Sequence, residues 1–473
     1  MQPNQVSQSG LWRLNSSDRR FILFIGDGLV AILSLLIALY FWGQRDWLDV
    51  SPSFLTERIA PWFYFLPAVW MLLIVELYDT RRASSQKETI RGISLAAGLS
   101  LASYLLVFFI SEPNSLPRRG VAIFIVAATI STLLWRLLYI RIFTAPESMR
   151  RVLIIGAGRA GTTLVKTLRE IWPPPFYLVG YIDDDSKKVG KEIEGYPVLG
   201  GSQQLFDVIQ EHRVTDLIVA ISGELAPDLF RGLLSAEERG LDLRTMPSVY
   251  EDLLGRVPIF LLQSDWVIRS FADFTTTGGF YELMKRLIDL LVGIVGSFLL
   301  ALMFPFVALC ILLESGFPII YSQVRIGKNG HLFKIYKFRT MRKDAEIDGQ
   351  ARLATENDDR VTRFGRFLRK SHLDEFPQFI NVLTGELSMV GPRAERPELV
   401  EQMQESIPFY RARLMVKPGL TGWAQVNFGY AATMEDTAIK LEYDLYYIKH
   451  RNIMLDIMII LRTISQVIGL RGQ

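Results

Sequence analysis

Cysteine is almost absent from this 473-residue chain. Cys310 stands alone, which excludes an intrachain disulfide and a cysteine-based zinc site. It lies in an apolar run and reads as a packing residue. A charge excess is missing too: 52 Lys and Arg oppose 49 Asp and Glu, a net +3, so nothing marks the chain as a nucleic-acid binder. Only local clustering of basic residues carries meaning. What is abundant is apolar surface. Half the residues are hydrophobic and the mean hydropathy is +0.23, too apolar for a wholly soluble protein and too long for one domain.

Four apolar stretches open the chain, Phe21 to Trp42, Trp62 to Leu77, Ile93 to Ile110 and Val121 to Leu138. Each approaches the roughly 20 residues that cross a bilayer core, so residues 1–148 are expected to hold four transmembrane helices. The first follows about twenty polar residues without a small-residue cleavage site and reads as a retained helix. Arg13, Arg19 and Arg20 precede the first stretch, Arg81, Arg82, Lys87 and Arg91 lie between the second and third, and Arg141, Arg150 and Arg151 follow the fourth. Those ends are expected on the cytoplasmic side. Asp27, one turn inside the first stretch, reads as a carboxylate near the interface partnered by an arginine.

Residues 149–258 change register to alternating strands and helices. RVLIIGAGRAGTTLVKTL is a strand, a Gly156-x-Gly158-x-x-Gly161 turn and a helix, and a second strand ends at Asp183. This is half of a Rossmann-like dinucleotide pattern, in which the glycines admit a pyrophosphate and Asp183 accepts a ribose hydroxyl. The same turn also serves close packing alone. Residues 259–284 read as a linker. A further apolar run, Leu287 to Leu313, contains Pro305 and has basic residues on both flanks. A re-entrant helix-break-helix hairpin is therefore expected in preference to a fifth crossing.

The block from residue 285 to 473 carries the chemistry. In YSQVRIGKNGHLFKIYKFRTM two strands meet at a GKNG turn, and Lys337 and Arg339 share one face of the second. Arg360, Arg363, Arg366 and Arg369 recur every third residue; steps of three spread around a helix, so only Arg369 is placed near the adjacent carboxylates Asp374 and Glu375. Pro377 is tolerated in a helix only in its first turn, which predicts a helix beginning near Asp374 with both carboxylates at its N-terminus. Carboxylates with Arg369 and Arg393 at hand suit nucleophilic attack at phosphorus, those cations and a Mg²⁺ held by the acids neutralising the developing charge, while Lys337 and Arg339 could jointly hold a diphosphate or simply form a solvated strand face. His372 lacks a visible orienting partner for a base role. MVKPGLTGWAQVN reads as a rigid loop, either stacking a base or sugar through Trp423 or simply packed. The run from Met454 to Ile468 is too short and interrupted to span, and either packs on the domain or lies at the interface.

KRLIDLLVGIVG, YSQVRIGKNGHLFKIYKFRTM, FLRKSHLDEFPQFINVLTGELSMVGPR and VKPGLTGWAQVN, in this order, resemble the blocks of the bacterial polyprenyl-phosphate hexose-1-phosphate transferases, the long-form monotopic phosphoglycosyl transferases. One departure is Ala394, where the family's Pro-Arg-Pro element has its second proline. The resemblance implies a bacterial inner-membrane enzyme, its catalytic part facing the cytoplasm, that initiates exopolysaccharide or O-antigen synthesis. It implies that Asp374 and Glu375 are catalytic and bind Mg²⁺, that a UDP-sugar donates glucose or galactose phosphate to undecaprenyl phosphate, and that UMP leaves an aspartyl phospho-sugar intermediate. The fold implied is a four-helix transmembrane bundle, a Rossmann-like domain, and a re-entrant hairpin with an α+β catalytic domain, in contact with the lipid bilayer and with room for a homodimer. Two other classes compete: a membrane-anchored nucleotide-sugar dehydratase or epimerase, for which Tyr281-x-x-x-Lys285 is the matching pair, and a non-catalytic export scaffold.

Overall fold

In the computed structural model the residues described are 16–78, 83–110, 117–143, 150–171, 174–221, 223–261, 279–342, 360–429 and 433–468. Arg13, Arg81, Arg82 and most of the expected linker fall outside them. The chain divides into two compact units, Met1–Val249 and Tyr250–Gln473.

In the first unit, three helices are long and apolar enough to cross a membrane, over Phe21–Gly43, Gln86–Phe109 and Arg118–Ile142. Their outward faces carry Leu29, Leu36, Leu106, Phe109 and Leu134 in the open, as a lipid-facing surface does. The second expected span differs. It is a shorter apolar segment, Pro61–Leu73, in which Pro61 opens a 3₁₀ turn over Pro61–Phe65 and Pro67 sits in the first turn of the Leu66–Leu73 helix, so regular α-helix begins only there. Small residues bring the first and last of the long helices together. A side chain at Gly26 would meet the Trp135 ring at 2.2 Å. There Asp27 and Arg136 form a fully buried ion pair, Nη2 to Oδ2 2.6 Å and Nε to Oδ1 3.2 Å, while Nη1 donates to the Leu77 carbonyl at 2.7 Å. Asp27 is thus partnered by an arginine as expected, and the pair is fully enclosed between helices.

The α/β part of this unit is built on β1 Arg151–Ile155, β2 Tyr177–Ile182, β3 Glu192–Ile193, β4 Tyr196–Gly200, β5 Asp216–Val219 and β6 Asp242–Thr245. The strand order is β3-β4-β2-β1-β5-β6; all neighbours pair in parallel except the β3–β4 hairpin. β1 and β5 are near-continuous apolar runs because both faces are covered, and Leu153, Ile155, Leu205, Leu217 and Leu233 form the core on one side.

The second unit opens with Tyr250–Leu261, whose Val257 and Ile259 are buried in its core beside Trp423, Leu445 and Tyr447. The Gly279–Ser315 helix follows, and no break occurs at Pro305: the helix runs through it unbroken. Loss of one backbone hydrogen bond and a ring clash is tolerated here in a long apolar helix whose neighbouring turns persist on both sides. Gly293 and Gly296 let the Gln378–Thr384 helix approach closely, since added side chains would strike Leu383 and Phe379 at 2.8 and 2.4 Å. Strands β7 Ile320–Ile326 and β8 Leu332–Phe338 form the expected antiparallel hairpin, with Asn329 and Gly330 left-handed at its turn. β9 Ser388–Val390 and β10 Gly419–Thr421 pair in parallel. The C-terminal Ile453–Ile468 helix packs on this unit, with Leu455 and Ile459 in the core and Asp456 and Arg462 buried.

The buried pair in the first unit sets a test. Arg136→Leu strands Asp27 without a counter-charge and is expected to destabilise by about 3–5 kcal/mol, whereas Asp27→Leu with Arg136→Leu recovers most of that loss. Thermal unfolding of the detergent-solubilised variants measures both.

Candidate active site

Local backbone demands place the acidic pair. The Arg363–Lys370 helix begins at Thr362, whose hydroxyl accepts the Gly365 N–H at 2.9 Å, and it ends at Ser371. His372 then turns left-handed, with φ 55°, and directs the chain into a tight 3₁₀ turn, Leu373–Glu375. The following helix starts only at Gln378 after Pro377, so the carboxylates sit in the turn ahead of it and not at its N-terminus. Pro377 has no N–H to donate back into the turn, so the chain passes through Phe376 and Pro377 in helical geometry and regular helical hydrogen bonding begins only after them. The helix dipole therefore contributes less here than the side-chain cations.

Those cations arrive from three elements. Lys337 near the end of β8 and Arg393 just beyond β9 both reach Glu375 Oε1, at 2.6 and 2.7 Å. Burial alone would raise the Glu375 pKa, but Arg393 and Lys337 together hold its carboxyl far below the usual carboxylate range. Asp374 differs. It is 8% exposed, makes no ion pair within reach among the described residues, and is pushed up to about 6 by burial and by the charge of Glu375. Lys337, Arg369 and Arg393 oppose that shift from a distance. Two adjacent acids thus differ in kind: Glu375 is a spoken-for anion and Asp374 an uncommitted one.

Arg369 is fixed by its Nε–H donating to Thr340 Oγ1 at 2.9 Å and faces the pair electrostatically. Arg339 does not join the cluster. It lies one residue past the end of β8, so the strand alternation that would align it with Lys337 has ended. Its Nη2 donates to the Ser315 carbonyl at 2.8 Å, the Ser315 hydroxyl at 2.9 Å and the Gly316 carbonyl, closing the end of the long helix. Its buried Nε and Nη1 have no hydrogen-bond partner among the described residues.

Several supporting residues escaped the sequence reading. Asn381 donates to the Lys334 carbonyl and to Glu386, each at 2.8 Å, and accepts the Tyr336 N–H at 3.3 Å, locking the helix behind the pair onto β8. Its signal was a polar residue within the apolar FINVL stretch. Arg413 donates to the Arg393 carbonyl at 3.0 Å and to Asp444 at 2.9 Å. Backbone crowding completes the loop: a side chain at Gly391 would meet the Lys417 carbonyl at 2.4 Å, and one at Gly422 would meet the Gly391 carbonyl at 2.2 Å. Trp423 resolves as a packed turn. Its Nε1 donates to the Gly255 carbonyl at 2.6 Å and its ring stacks on Tyr446, leaving no free face for a base.

Metal binding here has limited donors. Among the described residues no three acidic, histidine or cysteine side chains converge. Asp374 and Glu375 alone fit an ion of the Mg²⁺ type, which commonly takes one or two carboxylates and draws its other ligands from phosphate and water. In the α/β part, Gly161 is required for packing, since a side chain there would meet the Gly156 carbonyl at 2.1 Å, and Gly156 needs its φ of 106°. Open space surrounds Gly158. Asp183, expected on a ribose, accepts the Ala157 and Asp185 N–H groups at 2.8 and 2.9 Å and an ion pair from Lys188 at 3.0 Å.

The contrast within the acidic pair predicts a stability effect of known sign. Because the folded state holds Asp374 near 6 against an ordinary 3.8, its ionised form costs stability above about pH 6, and the cost vanishes below about pH 4. Asp374→Asn is therefore expected to unfold about 1–3 kcal/mol harder at pH 7.5 and no harder at pH 3.8, read by chemical denaturation at the two pH values.

Comparison with known proteins agrees with the site's position in the chain. A family model described as bacterial sugar transferase matches residues 280–469, and one described as CoA-binding domain matches residues 73–247. The chain is 41% identical over 220 residues, 46% of its length and 51% of the relative's, to a UDP-N-acetylgalactosamine-undecaprenyl-phosphate N-acetylgalactosaminephosphotransferase of Aeromonas hydrophila. It is 33% identical over 344 residues, 68% of its length and 60% of the relative's, to an undecaprenyl-phosphate glucose phosphotransferase of Komagataeibacter xylinus. It is 31% identical over 340 residues, 69% of its length and 68% of the relative's, to a UDP-glucose:undecaprenyl-phosphate glucose-1-phosphate transferase of Xanthomonas campestris pv. campestris. The matches span about half to two thirds of these relatives' lengths. With a family model on the unit that holds Asp374 and Glu375, and a relative matched over two thirds of its length, the chain belongs to the bacterial sugar transferase family.

Proposed function

We propose that this protein transfers a hexose-1-phosphate from a UDP-sugar to undecaprenyl phosphate and so initiates a surface polysaccharide. The observation that carries the reading is the division within the acidic pair, one carboxylate neutralised by two cations and its neighbour buried without a direct partner. An uncommitted carboxylate ringed by Lys337, Arg369 and Arg393 is the arrangement nucleophilic attack on a diphosphate requires.

In the first step an Asp374 oxygen forms a bond to the β-phosphorus, and the bond from that phosphorus to the bridging oxygen breaks, releasing UMP with the electron pair. In the second, an oxygen of undecaprenyl phosphate bonds to the same phosphorus and the Asp374 carboxylate leaves, regenerating the enzyme and giving undecaprenyl-diphosphate-sugar. Arg369, Arg393 and Lys337 orient and neutralise the phosphate oxygens, and Glu375 keeps Lys337 and Arg393 aimed inward. Mg²⁺, held by Asp374 and Glu375 when bound, would add Lewis-acid charge at the diphosphate.

The long apolar helix suits a lipid acceptor. Both of its ends are tied to the same unit, Lys285 to the Val390 carbonyl at one and Ser315 to Arg339 at the other, which favours a helix bent into one leaflet at Pro305, continuous but not straight, over a crossing. Basic residues at both flanks support a reading in which those ends and the catalytic unit lie on the cytoplasmic side of the inner membrane. Arg339, whose Nε and Nη1 have no hydrogen-bond partner among the described residues, would meet the lipid's phosphate at the end of the helix.

Protein in detergent, given Mg²⁺, undecaprenyl phosphate and a panel of UDP-sugars, is expected to release UMP with one of them in an acceptor-dependent manner. Asp374→Asn is expected to lower the rate at least about 10³-fold; release unchanged in that variant would overturn the assignment. Because the nucleophile must be ionised and titrates at about 6, the wild-type rate should fall as pH drops through that value.

A further inference from the structure

Tyr281-x-x-x-Lys285, whose spacing resembles an oxidoreductase pair, is joined to the second unit by a buried polar cluster. All three Lys285 ammonium hydrogens find acceptors: the Val390 carbonyl at 2.9 Å, the Tyr447 hydroxyl at 3.0 Å and Asp456 Oδ2 at 3.1 Å. Tyr447 in turn donates to Asp456 Oδ1 at 2.8 Å, and Tyr281 donates to Oδ2 at 3.1 Å. Asp456 is 2% exposed and has Lys285 as its ion-pair partner. Val390 is the last residue of β9, three before Arg393.

We propose that Lys285 is a positioning residue for Arg393, and through Arg393 for the acidic pair; the proposal rests on the transfer reaction above. The four residues Val390 to Arg393 are anchored at both ends. Lys285 grips the carbonyl of the first, and Arg413, steadied by Asp444, grips the carbonyl of the last. Between them, the Gly391 N–H donates to the Thr421 carbonyl at 2.9 Å and the Gly419 N–H donates to the Pro392 carbonyl at 2.8 Å. One helical turn beyond Lys285, Asp289 accepts the Met389 N–H at 2.8 Å and the Ser388 hydroxyl at 3.0 Å, holding β9 from the same helix. With its backbone fixed this way, Arg393 has only its side chain free to move, and that side chain is aimed at Glu375. The same helix that is expected to enter the membrane therefore sets the register of an active-site arginine. A displacement of about 1 Å in such a group costs on the order of 10²-fold in rate.

The test uses the full chain in nanodiscs with Lys285→Met, Lys285→Arg and the paired Lys285→Met/Asp456→Asn, which removes both buried charges and so avoids a stranded carboxylate. Two readouts are taken: hydrogen exchange of the segment 388–396, and kcat/KM for UMP release per folded molecule. Lys285→Met, or the paired variant where the single one does not fold, is expected to exchange faster in that segment. It is also expected to lose about 10- to 100-fold in kcat/KM per folded molecule, because Arg393 is no longer held in register against Glu375. Lys285→Arg should restore most of the rate and the slow exchange. Unchanged exchange overturns the proposal, as does a loss of rate that only tracks the folded fraction. Should wild-type protein release no UMP from any UDP-sugar, the transfer reading fails, while exchange still decides whether Lys285 holds the loop.

Discussion

The second unit is organised around one shared anion. Glu375 accepts both Lys337 and Arg393, and these two cations come from a hairpin strand and from a loop after a short parallel pair. A carboxylate withdrawn from water beside two cations is stable only if the geometry holds, so each element that delivers a partner must itself be fixed. Asn381 fixes β8, the clasp of Gly391 on Gly419 and Thr421 fixes the loop, and Arg413 with Asp444 fixes the Arg393 backbone. The uncommitted state of Asp374 is a product of this arrangement, since the cations that would otherwise quench it are already turned to its neighbour.

Polarity inside the second unit follows the same logic at larger scale. Asp289, Asp444, Asp456, Arg413 and Arg462 are all buried, and each of the first four binds either a backbone group of the active-site loop or a residue that does. Hydrophobic burial supplies cohesion through Val390, Trp423, Leu445 and Ile459, but it is non-directional. Charge-assisted hydrogen bonds supply the direction, fixing which carbonyl faces which helix.

Much of this was legible in the sequence, and what was not has physical causes. The GKNG turn, the parallel strands around the glycine-rich turn and the three long apolar helices follow from periodicity and spacing that local rules govern, whereas the gathering of Lys337 with Asp374 and Glu375 was implied only by the family resemblance. Failures came where a local rule met tertiary structure. Strand alternation was extended one residue too far at Arg339, and a proline was read as the first turn of a helix that begins after it. Pro305 was expected to break a helix that continues through it. Asn381 and Asp444 were passed over, and Lys285 was seen only as half of a spacing match, because each has a partner tens of residues away, at separations no window of sequence pattern spans.

The Asp27–Arg136 pair has a consequence for the order of assembly. Its members lie 109 residues apart, in the first and the last of the three long helices of the first unit. An unpaired arginine or aspartate carries an insertion penalty that reaches roughly 2.5–3.5 kcal/mol at the centre of a membrane helix and is smaller nearer its ends, where this pair lies. Neither helix rests comfortably in lipid alone, and each becomes well matched to it only in the other's company. Synthesis therefore leaves the first helix waiting for the last, and the membrane part is completed as a set and not one helix at a time.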